Sequence, residues 1–332
     1  MALRHVVRVA VLLAIVGVQV FSAAAPPAAA ETATPTAPPA QKRLAKMSVL
    51  KAGLAWVESQ QDESGGFLNP RGEVDPSTTA AVVSLLIALR NVGVEVETDE
   101  AVAYLQQTDP TEQEGALGGY AQFSSIVMAL VGAGGDPRDV GGVDLVARLV
   151  ASWDEEAGIY GSFLLESAIV VMALAVADEP VEERAIETIV AAQIDDGSWE
   201  YSGRTEPGSG DAVTTAFIVQ TLVAVRRGDD EIIADALAYF RAVQFDGKEF
   251  AAYAGSIPDP NTTGLVISAL IAAGENPKAK KWGAPVSGLI EYQNESGGFR
   301  TSRDGDPTED ITSTISALTA LAGAAMPVLP AT

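Results

Sequence analysis

The chain has 332 residues, of which 48 % are apolar and 20 % are charged, so it is long and apolar enough to bury a large core. Its formal net charge of −23 argues against nucleic acid and anionic membranes as partners, because both repel an acidic surface. The sequence contains no cysteine and a single histidine, His5, which excludes disulfides, thiolate nucleophiles and Cys/His zinc sites from the main domain.

The first 30 residues are predicted to be a secretory signal peptide. Basic residues at Arg4 and Arg8 precede an apolar stretch at 9–21 that is shorter than a membrane-spanning helix, and small residues follow it. Residues 31–46 are rich in Pro, Ala and Thr and are predicted to form a stiff, extended linker. These features predict a secreted or cell-surface protein, with an uncleaved N-terminal anchor as the only expected contact with a membrane.

Residues 47–327 are predicted to form one domain in which two kinds of helix alternate. Helices of the first kind carry charges along one face, as half-exposed outer helices do. The predicted outer helices are 48–61, 99–107, 143–153, 181–193, 231–244 and 284–293. Helices of the second kind are almost uncharged and must be covered on all sides. The predicted inner helices are 77–89, 122–131, 163–177, 212–225, 262–273 and 311–322.

A short pattern recurs where outer helices end: a glutamine, a glycine four residues later and an aromatic residue six residues later. The clearest copies are Gln61/Gly65/Phe67, Gln193/Gly197/Trp199 and Gln293/Gly297/Phe299. Looser copies around Gln107, Trp153 and Gln244 bring the number of repeats to six. Helical hairpins of this kind cannot bury their apolar faces alone and must stack on their neighbours.

The pattern resembles the QW repeat of squalene cyclases and protein prenyltransferase β-subunits, the terpenoid cyclase superfamily. Lys51-Ala52, Trp56-Val57 and the first Gln-Gly-Phe set match that repeat nearly in full, and the resemblance covers about residues 47–327. It implies an all-α (α/α)6 toroid of six helical hairpins, with residues 328–332 as a tail. It also implies structural roles for the repeat glutamines, glycines and aromatics.

The reactive groups of several branches of this superfamily are missing. Protein prenyltransferases and lanthipeptide cyclases need Cys and His ligands for zinc, so we expect no metal and no cofactor. Class II terpene cyclases use an Asp-x-Asp-Asp acid, whereas this chain has Asp304, Asp306 and Asp310, with Pro307 where the proton-donating residue would stand. These three aspartates are the weak candidates for a catalytic acid. Neither residues 304–310 nor Asp195-Asp196 has the spacing of a calcium loop.

Several inner helices begin with an acidic residue followed by hydroxyl side chains. Such residues are favoured as helix N-caps, because their oxygens accept the free amide protons of the first turn. Repeated once per hairpin, they would also gather at one end of a ring, where crowded carboxylates raise one another's pKa. The candidate ligand-binding residues are Asp75, Thr78, Asp211, Thr214, Asp259, Thr262, Asp306 and Asp310.

The favoured hypothesis is an exported, non-catalytic toroid that binds a ligand or partner at the mouth of the ring or in its central cavity. The expected partner is a small apolar molecule or an extracellular protein or peptide. Three alternatives remain open: a diverged terpenoid cyclase-like enzyme using an acid at 304–310, a structural or adhesive surface module, and a glycan-active enzyme with paired carboxylates.

Overall fold

The structure is a computed structural model that describes residues 39–109, 119–227, 230–302 and 307–331. The predicted signal peptide, the first part of the predicted linker, and Asp304 and Asp306 therefore lie outside the described residues. None of the described helices is long and apolar enough to cross a membrane.

Twelve helices alternate along the described chain, odd-numbered helices on the outside and even-numbered helices on the inside. They are α1 (Pro39–Glu58), α2 (Pro76–Asn91), α3 (Asp99–Gln107), α4 (Tyr120–Ala133), α5 (Leu145–Val150), α6 (Leu164–Val176), α7 (Glu183–Ala191), α8 (Ala212–Ala224), α9 (Asp230–Ala242), α10 (Pro260–Ala272), α11 (Pro285–Ile290) and α12 (Ile311–Ala322). A two-residue antiparallel hairpin, β1 (Trp153–Asp154) and β2 (Ile159–Tyr160), joins α5 to α6, with Trp153 paired to Tyr160.

The inner helices close into a ring. Each one packs on the next, and α12 packs on α2 and on the first outer helix, α1. Outer helices pack against the inner helices beside them. The cause lies in composition: α6, for example, is apolar nearly all round and is buried from Leu164 to Leu174, which requires neighbours on every side.

The repeat turns connect adjacent hairpins through their glutamines. The amide of Gln193 donates to the carbonyl oxygens of Gly197 and Ile232, both at 3.0 Å, so it joins its own turn to the following outer helix. The amide of Gln293 does the same for Gly297 and Val49, both at 2.9 Å. Because Val49 belongs to α1, this second pair of bonds ties the last repeat to the first.

The aromatic residues of the clearest repeats, Phe67, Trp199 and Phe299, are buried at the ends of these turns. Gln61 keeps the bond to its own glycine, donating to the carbonyl oxygen of Gly65 at 3.0 Å. These contacts are those of a structural repeat: the glutamine bridges backbone groups and the aromatic side chain fills the space between helices.

Helix boundaries differ from the sequence-based ones at several places. The first helix begins at Pro39, so residues 39–46 of the predicted 31–46 linker are helical. Helices α5 and α11 are short, six residues each, because their last predicted turns belong to the repeat turns instead. In the second repeat the bridging glutamine is Gln106, not Gln107: its amide nitrogen contacts the carbonyl oxygens of Asp136 and Asp139, at 2.9 and 2.8 Å.

The C-terminal segment 324–331, predicted in part as a free tail, packs across the end of the ring where the inner helices finish. The backbone N–H of Met326 donates to Gln220 Oε1 at 2.8 Å, deep on α8. Val328 is buried. The side-chain amide of Asn91 holds the end of the segment, donating to Leu329 O at 2.8 Å and accepting from Ala331 N at 2.9 Å.

Candidate functional site

Because every inner helix is followed by an outer helix that returns, all inner helices run in the same direction and begin at one face of the ring. We call this face the acidic mouth, defined by the N-cap residues Asp75, Asp211, Asp259 and Asp310. Each carboxylate accepts the backbone N–H three residues further on, at 2.7 to 2.8 Å. The mouth therefore gathers four of the candidate residues, and each of them caps a helix.

The threonines proposed as ligand contacts are engaged with these same carboxylates. The hydroxyls of Thr78, Thr214 and Thr262 donate to Asp75, Asp211 and Asp259 at 2.8, 2.7 and 2.7 Å. A hydroxyl has one proton to donate, and each of these three threonines donates it to a carboxylate of the protein itself. The carboxylate oxygens keep further lone pairs that can accept a bond from a ligand.

Asp259 is a carboxyl group of the mouth whose pKa lies above its ordinary value. Burial raises its pKa to about 6, the bonds from Thr262 oppose that change, and the negative charge of Asp310 adds to it. The residue as a whole is half-buried. Asp259 is thus a carboxyl group that can change protonation near neutral pH.

Asp211 lies beside a second group of polar residues. Burial also raises the pKa of Asp211. Burial raises the pKa of Tyr253 to about 12, and the nearby charges of Asp211 and Glu200 act in the same direction. Burial works against ionisation of Glu200, but hydrogen bonds from Ser202 and Arg204 outweigh it and lower its pKa. Glu200 is therefore a paired structural carboxylate.

The acidic run suggested as a source of catalytic acids is placed only in part. Asp304 and Asp306 lie outside the described residues. Asp310 caps α12 through Ser313 N. Its neighbour Glu309 accepts the indole N–H of Trp56 at 2.6 Å and a bond from the hydroxyl of Ser296, so this carboxylate supports the packing of the last repeat on the first.

The inner helices surround the ring axis, and their axis-facing side chains can be assigned from the side chains that point outward. On α2, α8, α10 and α12 one threonine shows which side of the helix faces away from the ring axis. Its hydroxyl accepts a hydrogen bond from the backbone N–H of a repeat aromatic residue, which lies in the turn outside the inner helix. These pairs are Thr79–Phe67, Thr215–Trp199, Thr263–Phe250 and Thr314–Phe299, at 2.9 to 3.1 Å. With 3.6 residues per turn, positions two before and two after each threonine point toward the axis.

Solvent exposure supports this assignment. Ala81, Phe217 and Ser316 each stand two residues after an outward threonine and are half-buried, although they sit inside helices that are mostly buried. The hydroxyl of Ser316 also reaches across to Asn261 Oδ1 at 2.7 Å, a residue two positions before its own threonine. On α4, Ser125 is half-buried and shares a face with Gly132, where an added Cβ would lie 2.7 Å from the carbonyl oxygen of Val328.

We call the axis-facing side chains of the inner helices and the space between them the axial recess; its two sides differ in chemistry. One side is formed by α12, α2 and α4 and carries hydroxyl and amide groups. Its polar residues are Ser77, Ser84, Gln122, Ser125, Thr312, Ser316 and Thr319. The other side is formed mainly by α6, α8 and α10 and is apolar apart from Asn261 near the mouth. Its apolar residues are Leu165, Ile169, Val213, Phe217 and Leu265.

The axial recess is closely packed on its apolar side, where Ile169 and Leu265 are buried. At the end where the inner helices finish, the C-terminal segment covers it, with Met326 bonded to Gln220. An open depression of about 460 Å³ between Arg90 and residues 93–97 lies on the opposite face, away from the aspartates.

Two polar side chains of the recess wall are buried without hydrogen-bond partners. Both amide atoms of Gln122 and the hydroxyl of Ser77 lack a partner in the described part of the chain. Gln122 is fully buried and Ser77 is 6 % exposed. Buried polar groups in proteins are almost always hydrogen-bonded, so an orphan pair at the edge of an opening is unusual. Among the described residues no group of three or more His, Cys, Asp or Glu side chains could hold a metal ion.

No protein-family model matches the sequence, and no curated protein matches it. Solved structures do match the fold. The type II terpene cyclase MstE from Scytonema superposes with a TM-score of 0.63 at 15 % identity, covering 83 % of this chain and 97 % of the cyclase. A protein from Actinoplanes gives 0.61 at 15 % identity, covering 84 % and 99 %. The α-1,6-mannanase GH76A from Salegentibacter sp. HEL1_6 gives 0.60 at 12 % identity, covering 84 % and 98 %.

The fold of this chain is therefore the α/α toroid shared by these proteins, and the fold implied by the QW-repeat resemblance is confirmed. At such low identity the similarity establishes the architecture alone, since this architecture carries both a terpene cyclase and a mannanase.

Sequence reasoning located the mouth residues and named a central cavity as a possible site, but it did not assign the residues that face the axis. A signal for them exists in the sequence: hydroxyl residues recur at helical spacing in two inner helices that are otherwise apolar, Ser77 and Ser84 in α2 and Thr312, Ser316 and Thr319 in α12. Their direction could be assigned only after the outward threonines were known.

Proposed function

We propose that this chain is an exported α/α-toroid protein that binds a small, largely apolar ligand without transforming it. The ligand enters at the acidic mouth and lies in the axial recess. The observation that carries the proposal is the exposure pattern at the ring axis: Ala81, Phe217 and Ser316 are half-buried at axis-facing positions of helices that are mostly buried.

The state of the acidic residues supports binding over catalysis. The four mouth aspartates are helix caps, Glu309 is bonded to Trp56 and Ser296, and the chain has neither a cysteine nor a histidine beyond His5. Export follows from the signal-like residues 1–30 and is part of the proposal. It is tested by the N-terminal sequence of the protein recovered from the culture medium.

The binding proposal is tested with the purified protein and with two variants in which an alanine is replaced by leucine. Ala81 faces the recess and Ala55 is exposed on α1, so Ala81→Leu fills the recess while Ala55→Leu is a matched control. A panel of alkyl and isoprenoid compounds is screened by thermal shift and then measured by calorimetry. We expect Ala81→Leu to weaken binding of any hit at least about tenfold and Ala55→Leu to leave it unchanged. A panel without a hit, or equal binding by both variants, would contradict a recess ligand and favour the structural or adhesive role.

A second candidate function, a diverged terpenoid cyclase-like enzyme, is favoured by one observation: Asp259 has a pKa raised to about 6 by burial at the entrance to the recess. A carboxyl group of this kind can donate a proton, as general acid catalysis requires. Incubation with squalene or geranylgeranyl compounds, followed by mass spectrometry, tests it. Cyclic product that disappears in Asp259→Asn would establish this function; unchanged substrate would reject it.

A further inference from the structure

The two orphan polar groups of the recess lie on adjacent helices. Gln122 stands one turn before the axis-facing Ser125 on α4, and α4 packs on α2. Ser77 stands two residues before the outward Thr79 on α2, so it faces the axis. We call the line along which α2 and α4 pack the α2–α4 seam; its two helices carry a buried, unbonded amide and a buried, unbonded hydroxyl near their first turns.

We infer that the α2–α4 seam is a head-group site for a slender, uncharged amphiphile, such as a linear primary amide or alcohol, whose chain lies against the apolar side of the recess. This inference rests on the proposed function, because it names the class of ligand that the recess takes.

The chemistry of the seam favours a neutral head group. A buried amide offers two donors and an acceptor, and the hydroxyl adds one donor and an acceptor, so a primary amide or an alcohol can satisfy both residues at once. The polar residues of the recess side formed by α12, α2 and α4 are all uncharged. A charged head group placed there would lose its hydration without gaining an ion pair.

The rest of the recess favours a single thin chain. Leu165, Ile169 and Leu265 line the opposite side and are buried, which leaves little width for a branched or fused-ring body. The carboxylates of the mouth stand above the seam and repel anions, so a fatty acid is disfavoured twice, at the entrance and at the head-group site. An uncharged amphiphile is neither repelled by the mouth carboxylates nor deprived of an ion's hydration at the head-group site.

The experiment compares four ten-carbon probes that share one chain: decanamide, 1-decanol, 1-chlorodecane and decanoate, measured by calorimetry on the full chain. We expect decanamide to bind about tenfold more tightly than 1-chlorodecane, the effect of one well-made hydrogen-bonded head group, with 1-decanol between them. Decanoate should show no binding at concentrations that saturate the protein with decanamide.

Gln122→Leu separates the head-group site from the recess. Leucine has nearly the same volume as glutamine, and the substitution removes a buried amide that has no partner. The variant should therefore fold, and its melting temperature should be the same as that of the wild type or higher. We expect it to bind 1-chlorodecane as the wild type does and to lose the tenfold preference for decanamide. Gln60→Leu, at the end of the outer helix α1, is the matched control and should keep that preference.

The outcomes distinguish the two proposals. If all probes bind equally and Gln122→Leu changes nothing, the seam does not select a head group, whereas the recess still binds ligands. Decylamine, a cationic probe of the same chain length, is measured as a further control. If it binds more tightly than decanamide, the inference is overturned as well, because selection would then be assigned to the mouth carboxylates. If no probe binds to the wild type, the recess function itself is rejected.

Discussion

The two faces of the ring are held together in different ways. At the acidic mouth, the repeat turns press directly on the next outer helix. Gly297 has φ +105°, and a Cβ built on it would lie 2.1 Å from the carbonyl oxygen of Ala52. On the opposite face, Gly274 also has positive φ, +75°, but a Cβ built there meets nothing within 4 Å in the described residues.

The opposite face is completed instead by the C-terminal segment. Its contacts are few: the bond from Met326 to Gln220, the buried side chain of Val328, and the two bonds to Asn91. We call the face that carries the aspartates the stitched face, because its repeat turns contact the next outer helix closely. We call the opposite face, which the C-terminal segment covers, the looser face. If the chain binds a ligand as proposed, the closely packed face that carries the aspartates would form the entrance.

The largest effect is expected for an added methyl group at the stitched face. Gly297→Ala forces a positive φ on a residue with a Cβ and drives that atom into Ala52, so the free energy of unfolding should fall by about 3–5 kcal/mol. Gly274→Ala carries only the conformational cost, about 1–2 kcal/mol. Urea denaturation measures both. Equal losses would show that the contact between the last and first repeats contributes nothing and that the two faces are alike.

The second effect concerns the charge of the mouth. The pKa of Asp259 is about 6 in the folded protein against an ordinary value of 3.8, so the folded state binds more protons between these pH values. The contribution of Asp259 to the free energy of unfolding is therefore largest below pH 4, and it falls by about 2–3 kcal/mol as the pH rises through 6. Asparagine still caps a helix. The free energy of unfolding of Asp259→Asn, relative to that of the wild type, should accordingly increase by about that amount between pH 4 and pH 7.

The control for this pH effect is Asp144→Asn. Asp144 caps the outer helix α5 by accepting from Ala147 N at 2.8 Å, and its side chain is 39 % exposed. Unfolding is followed at both pH values for the wild type and each variant, so that general effects of pH cancel in the differences. A constant difference between wild type and Asp259→Asn across this range would contradict a raised pKa at the mouth.

The stitched face was largely predictable from sequence. The Gln-Gly-aromatic spacing marks each turn, and the acid-hydroxyl pairs mark where inner helices begin, because both depend on residues near one another in the chain. The bounds of α12, Ile311–Ala322, agree with the predicted helix for this reason. The sixth helix, Leu164–Val176, also lies within one residue of its predicted bounds, although it has Phe163 where four of the inner helices have Asp. Glu166 accepts from Ser162 N there, at 2.7 Å.

The looser face and the recess could not be predicted in the same way. Nothing in the Pro- and Ala-rich sequence around Val328 indicates that Met326 will bond to Gln220, more than one hundred residues earlier. The orphan state of Gln122 likewise depends on which way α4 is turned, and an amide in an apolar helix is compatible with either direction. Contacts of this range are decided by packing of the whole ring.

The smallest effect is expected where the C-terminal segment meets the ring. Val328→Ala removes two buried methyl groups beside Gly132 and should lower the free energy of unfolding by about 1–2 kcal/mol. Leu329→Ala next to it, 45 % exposed, should change stability by less than about 0.5 kcal/mol. If both variants behave alike, the segment does not pack as described and the looser face is open. A ligand could then enter the axial recess from either end, and neither substitution would change the dissociation rate of decanamide.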